Sequence, residues 1–132
     1  GGGGVGGQTV GVQLWARTAG GSVLSANAMD EGRRGGGVDG AGVAGQALGD
    51  LRRLAASGAA VDEHTADQLV IYMALAEGES CMVVEPRTAS SSLHLETALH
   101  LVQQLIGAQY SVEVGEGGLR RVTVTGVGFT GL

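Results

Sequence analysis

The apolar residues of this chain change period along its length, and that alternation admits few architectures. Val10, Val12, Leu14 and Ala16 alternate with Thr9, Gly11, Gln13 and Trp15, the two-residue repeat of a strand with one buried face. Ser22–Ala28 reads as a second strand after the turn Ala19-Gly20-Gly21, so the two predict a hairpin. Over Val38–Ser57 the spacing becomes helical. Ala44, Ala47, Leu48, Leu51, Leu54 and Ala55 form one stripe, with Gly58 as its stop. A second helix is predicted over Glu63–Glu77, capped by Asp62 and stapled by Val61 against Ala66. Its first turns are polar, whereas Leu69–Ala76 is apolar all round and is expected to be buried. Ser80–Glu85 reads as a strand, Pro86–Ser92 as a polar loop, and Leu93–Ile106 as a third helix. That helix carries Leu95, Ala98, Leu99, Val102, Leu105 and Ile106 on one face and ends at Gly107. Tyr110–Val114 and Arg121–Thr125 are short strands around Gly115-Glu116-Gly117-Gly118. The order β-β-α-α-β-α-β-β predicts an α+β fold, a two-layer sandwich with helices on one face of a sheet.

Glycine sets the boundaries. Many of the 26 glycines fall in Gly1–Gly7 and Gly32–Gly45, stretches that cost much backbone entropy to order. Residues 1–8 are therefore expected to be a leader and residues 9–132 one domain. The opening glycines, with no initiator methionine, suggest a fragment of a longer protein. The net charge is −5 and lysine is absent, so no basic patch announces nucleic acid. Arg33/Arg34, Arg52/Arg53 and Arg120/Arg121 are pairs that can meet phosphates or simply be solvated. The single cysteine, Cys81, excludes an internal disulfide and a cysteine zinc site. Its run Cys81-Met82-Val83-Val84 predicts a buried strand residue. No apolar run is long enough for a membrane span, and no signal peptide opens the chain. An intracellular protein is expected.

Two constellations carry chemistry. His64, Asp67 and Gln68 stand at i, i+3 and i+4, so they share a face at a helix start. A carboxylate and an amide there can bind ligand hydroxyls and amines, and the imidazole can stack on a base. A solvated first turn carries the same residues. His94 opens the third predicted helix after Ser90-Ser91-Ser92, which are good caps. The positive end of a helix favours a neutral, nucleophilic imidazole, and its free N–H groups can hold a phosphate. An ordinary exposed histidine beside a cap is the plainer alternative. His100 lies about 240° further round the helix, so the two histidines do not face one metal. The chain has no G-x-x-x-x-G-K-[ST] loop, no G-x-S-x-G elbow and no H-E-x-x-H.

The segment Val61-Asp62-Glu63-His64-Thr65-Ala66-Asp67-Gln68-Leu69, followed by an apolar run ending Met73-Ala74-Leu75-Ala76, resembles the RNA 3'-terminal phosphate cyclase family. So does Leu93-His94-Leu95-Glu96-Thr97-Ala98-Leu99-His100. The strand Val10–Ala16 and Glu31-Gly32-Arg33 fit more weakly. The resemblance covers roughly Gly7 to the C-terminus, the C-terminal part of the family's catalytic domain. It implies a unit of two helices on a four-stranded sheet, similar to the C-terminal domain of bacterial translation initiation factor three. It also implies a ligase that uses ATP to convert an RNA 3'-phosphate end to a 2',3'-cyclic phosphodiester through a histidine–AMP intermediate. By motif position His94 is the nucleophile, and His64, Asp67 and Gln68 contact the nucleotide. Mg2+ or another divalent metal would accompany the triphosphate, with no metal ligand assigned to the chain.

The implied partners are ATP, the RNA end and the missing N-terminal part of the same protein, with no membrane. The implied home is the nucleoplasm in a eukaryote or the cytoplasm in a prokaryote. A non-catalytic cyclase-like protein of ribosome biogenesis shares the fold but lacks the nucleophile, so His94 favours the enzyme. An inactive fragment acting as a binding module is the remaining reading.

Overall fold

The computed structural model describes residues 8–32, 37–87 and 93–131. It is α+β and divides after Ala56 into two compact units. In the first, β1 (Val10–Arg17) and β2 (Val23–Asp30) pair antiparallel with Leu14 opposite Ala26. This is the predicted hairpin. The Thr18 N–H donates to Ser22 O at 2.8 Å, and Gly21 takes φ +90° in the turn, a conformation that costs glycine little. Even-numbered residues of both strands face inward: Val10, Val12, Leu14 and Ala28 pack with Val43 and Ala47 of α1 (Gly40–Ser57).

Helix α1 begins later than its periodicity predicts, because Asp39 caps it. The Gly42 N–H donates to Asp39 Oδ1 at 2.8 Å. Its buried residues are Val43, Ala47 and Leu54, whereas Ala44, Leu48 and Ala55 are exposed. An alanine-rich helix leaves its apolar stripe broad, and the edge carrying the branched Val43 is the one that is covered. Asp30 ties the end of β2 to this cap, accepting from Gly32 N–H and Asp39 N–H, each at 2.9 Å. These two bonds hold its carboxyl below the usual carboxylate range.

In the second unit, α2 (Glu63–Leu75) starts at the predicted cap. Asp62 accepts from Thr65 N–H at 2.7 Å and from Thr65 Oγ1–H at 2.8 Å. Then come β3 (Glu77–Val84), α3 (His94–Ile106), β4 (Gln109–Val114) and β5 (Arg120–Val127). A short 3-10 turn, Glu116–Gly118, joins the last two strands. The sheet order is β3-β5-β4, all antiparallel. Val70, Met73 and Ala74 of α2 and Leu95, Leu99 and Val102 of α3 bury against Met82, Val84, Val122 and Val124 of the sheet. That is the expected helical layer on one sheet face. Gly107 closes α3 in the left-handed region at φ 84°, its N–H donating to Val102 O at 3.1 Å. Gly126 is required by close approach instead, since a Cβ there would strike the carbonyl oxygens of Ala76 and Met73.

The sheet of this unit has three strands among the described residues rather than the four that the resemblance implies. Beside β3 there is only an isolated parallel bridge, Val61 to Val84, and β1 and β2 pair with each other in their own sheet. Leu69–Ala76 is not buried all round. Ile71 and Tyr72 are exposed, as is Leu105 of the α3 stripe. Both helices bury the flank facing the sheet and each other, and their outer flanks line an open apolar groove of about 250 Å³. Cys81 is exposed rather than buried. In β3 the even residues Met82 and Val84 face the core, so the alternation turns Cys81 outward, where Arg121 Nη1–H donates to its Sγ at 3.4 Å. No described helix is long and apolar enough to cross a membrane.

Candidate active site

The starts of α2 and α3 come together. On α2 the Asp62 cap fixes the first turn, which places His64, Asp67 and Gln68 on one face. His64 and Gln68 are exposed, and the Asp67 side chain is 18% exposed. On α3 the cap position is Leu93, with φ −85°, ψ 7° and no side-chain capping bond. The predicted caps Ser90, Ser91 and Ser92 lie outside the described residues, as do Arg33 and Arg34. His94 is the first helical residue and its side chain is 72% exposed. Its Nδ1 lies 3.6 Å from Asp67 Oδ2, ion-pair range and longer than a hydrogen bond.

The Nδ1 edge of the imidazole is turned to a carboxylate, on a side chain that is mostly exposed. A small rotation of either side chain lets Asp67 accept an Nδ1–H, which fixes the tautomer with a lone pair on Nε2. Catalytic hydrogen bonds are often long before the ligand binds. The amides of the first α3 turn have no partner within the helix and point along the same end. The site therefore combines an orientable imidazole, a carboxylate, two exposed polar side chains, and a helix start suited to phosphate. His100 is exposed further along α3.

Two features escaped the reading of the sequence. Arg87 Nη1–H donates to Glu96 Oε1 at 2.7 Å, pinning the chain after β3 to the first turn of α3. Both side chains are about half exposed, 49% and 46%, so the pair positions more than it stabilises. Nothing in their spacing announces it. Arg120 is buried, donating from Nε to Glu85 O at 3.2 Å, and its Nη2 has no hydrogen-bond partner among the described residues. The alternation Arg120, Val122, Val124 puts its side chain on the core face of β5, a signal lost when the strand is begun at Arg121. Among the described residues no three His, Cys, Asp or Glu side chains converge as metal ligands.

Comparison with known proteins bears on the same region. The family model described as RNA 3'-terminal phosphate cyclase matches residues 3–112. The RNA 3'-terminal phosphate cyclase of Pyrobaculum neutrophilum is 34% identical over 119 residues, 90% of this chain and 32% of the relative. That of Drosophila melanogaster is 36% identical over 118 residues, 89% of this chain and 30% of the relative. That of Salmonella typhimurium is 42% identical over 76 residues, 58% of this chain and 21% of the relative. The chain thus spans about a third of the length of the first two relatives.

Proposed function

The chain belongs to the RNA 3'-terminal phosphate cyclase family, and from that premise we propose that it carries the nucleophile for ATP-dependent cyclisation of an RNA 3'-phosphate end. The observation that carries the reading is the approach of His94 Nδ1 to Asp67 Oδ2 at 3.6 Å on a side chain that is 72% exposed.

In the first step His94 Nε2 attacks the α-phosphorus of ATP. A P–N bond forms, the bond from that phosphorus to the bridging oxygen breaks, and pyrophosphate leaves with the electron pair. In the second step an oxygen of the RNA 3'-phosphate attacks the same phosphorus, the P–N bond breaks and His94 is restored. In the third the neighbouring 2'-hydroxyl attacks the 3'-phosphorus and loses its proton. The 2',3'-cyclic phosphodiester forms and AMP departs. Asp67 holds the imidazole through its Nδ1 edge, and His64 and Gln68 contact the adenosine. The amides of the first α3 turn, which lack partners within the helix, stabilise charge on the phosphate oxygens. A divalent cation would enter on the triphosphate and would need few protein ligands.

The test is incubation with α-phosphate-labelled ATP and magnesium, in this chain and in a longer version carrying the remaining family length. Acid-labile label on the protein, lost in His94→Ala, is the expected result. Label on the longer version alone would locate the nucleophile here and the rest of the site elsewhere. No label on either would overturn the reading and favour a non-catalytic family member.

A further inference from the structure

The outward face of the β1–β2 hairpin does not resemble an ordinary solvated surface. Register places Gly11 opposite Met29, Gln13 opposite Asn27, Trp15 opposite Ser25 and Arg17 opposite Val23, all pointing away from Val43 and Ala47. Trp15 is 72% exposed and Met29 63% exposed. Leaving a tryptophan this open forfeits the large apolar area it would otherwise bury. Gly11 leaves a gap beside Met29, since a Cβ there would have only Ala28 O within contact range, at 3.9 Å. The result is a hollow of about 360 Å³ lined by Gly11, Val12, Gln13, Asn27, Ala28 and Met29, within the size range of small-ligand sites.

Charge narrows the occupant. The chain has 13 acidic residues and a net charge of −5, yet the outward positions of both strands hold no carboxylate and one cation, Arg17. What they do hold is a flat aromatic ring, two carboxamides directly across from each other, and a guanidinium one strand step beyond the ring. Residues two apart on a strand are about 7 Å apart, so Gln13, Trp15 and Arg17 form a line. An aromatic plane takes an unstacked base regardless of its identity. Carboxamides offer both donor and acceptor to a base edge, and a guanidinium takes a phosphate.

We propose that this face is a binding site for single-stranded RNA, in which Trp15 stacks on an unpaired base, Gln13 and Asn27 meet its edge or that of its neighbour in the hollow, and Arg17 contacts the backbone. RNA as the occupant rests on the function proposed above; the residues of this face all belong to the first unit, and His94 belongs to the second. One cation makes its affinity modest and shallow in salt dependence, because few counterions are released.

Trp15 is the chain's single tryptophan, so it reports on its own occupancy. A short unstructured RNA titrated into the 132-residue chain is expected to quench Trp15 emission saturably, and a blunt RNA duplex to leave it unchanged. With a dye-labelled RNA read by anisotropy, Trp15→Ala is expected to weaken binding about tenfold or more, with Trp15→Phe restoring most of it. Gln13→Ala and Asn27→Ala should each weaken it several-fold. Trp15 is exposed, so its variants should keep the circular dichroism of the parent.

RNA that binds without altering Trp15 emission overturns the proposal, as does an absence of binding. So does quenching that follows protein concentration instead of RNA, which would mark the face as a contact between copies. Labelling of His94 by ATP involves no RNA, so Trp15→Ala should leave it intact. Loss of labelling with quenching preserved would sink the cyclase reading alone, and the reverse would sink this one.

Discussion

Asp30 shows how one half-buried side chain organises a junction. Its two oxygens take the Gly32 and Asp39 amides at 2.9 Å each, and Asp39 in turn caps α1 through the Gly42 amide. Both bonds favour the ionised form, which lowers the folded-state value. A carboxyl lowered on folding adds stability that is fully present above its unfolded value, about pH 3.9, and that fades as pH falls through the lower folded value. Asp30→Asn is therefore expected to be less stable than the parent near neutrality. The gap should close as pH drops below about 4, read as denaturant midpoints at a series of pH values. A gap that stays constant down to the acid transition would mean that these bonds do not prefer the charged carboxyl.

At the scale of the element, α2 positions the site and its start is set locally. Asp62 satisfies the Thr65 amide and hydroxyl, so Asp62→Ala is expected to cost about 1 kcal/mol in chemical denaturation. The same variant should loosen the turn that presents His64 and Asp67 and so lower His94 labelling. Unchanged stability would show that Val61 and the packing of Ala66 and Val70 hold the helix start without its cap. This cap was legible in the sequence because capping involves residues three apart. The αL stop at Gly107 and the stripe of Leu95, Leu99 and Val102 were legible for similar reasons.

What depends on partners distant in sequence was not. Cys81-Met82-Val83-Val84 is apolar in both phases of a strand, so only the sheet decides that Met82 and Val84 turn inward. Leu69–Ala76 is apolar on every side, and nothing local says that Ile71 and Tyr72 will be the uncovered flank. Arg120 occupies a core-facing position that its charge argues against. The approach of Asp67 to His94 needs two helix starts packed side by side. Spacing made each residue a candidate, and the resemblance joined them.

For the molecule as a whole, stability is distributed unevenly. The second unit buries Val70, Met73, Met82, Val84, Leu95, Leu99, Val102, Val122 and Val124 in one cluster, several of them completely. Among the described residues the first unit buries fewer and smaller side chains, Leu24, Ala28, Val43, Ala47 and Leu54, flanked by half-buried strand residues. A two-stranded hairpin is marginal without strong packing on its face, and protection from hydrogen exchange follows buried contact. Amides of α3, β3 and β5 are therefore expected to exchange only through full opening of their unit, and those of β1 and β2 orders of magnitude faster. Leu99→Ala, which empties a site 1% exposed, should cost about 2–5 kcal/mol. It should speed exchange in the slow set by the corresponding factor, tens to thousands. Hairpin amides that exchange through local opening should not respond. Equal acceleration in β1 and β2 would show instead that the hairpin opens only when the large core does.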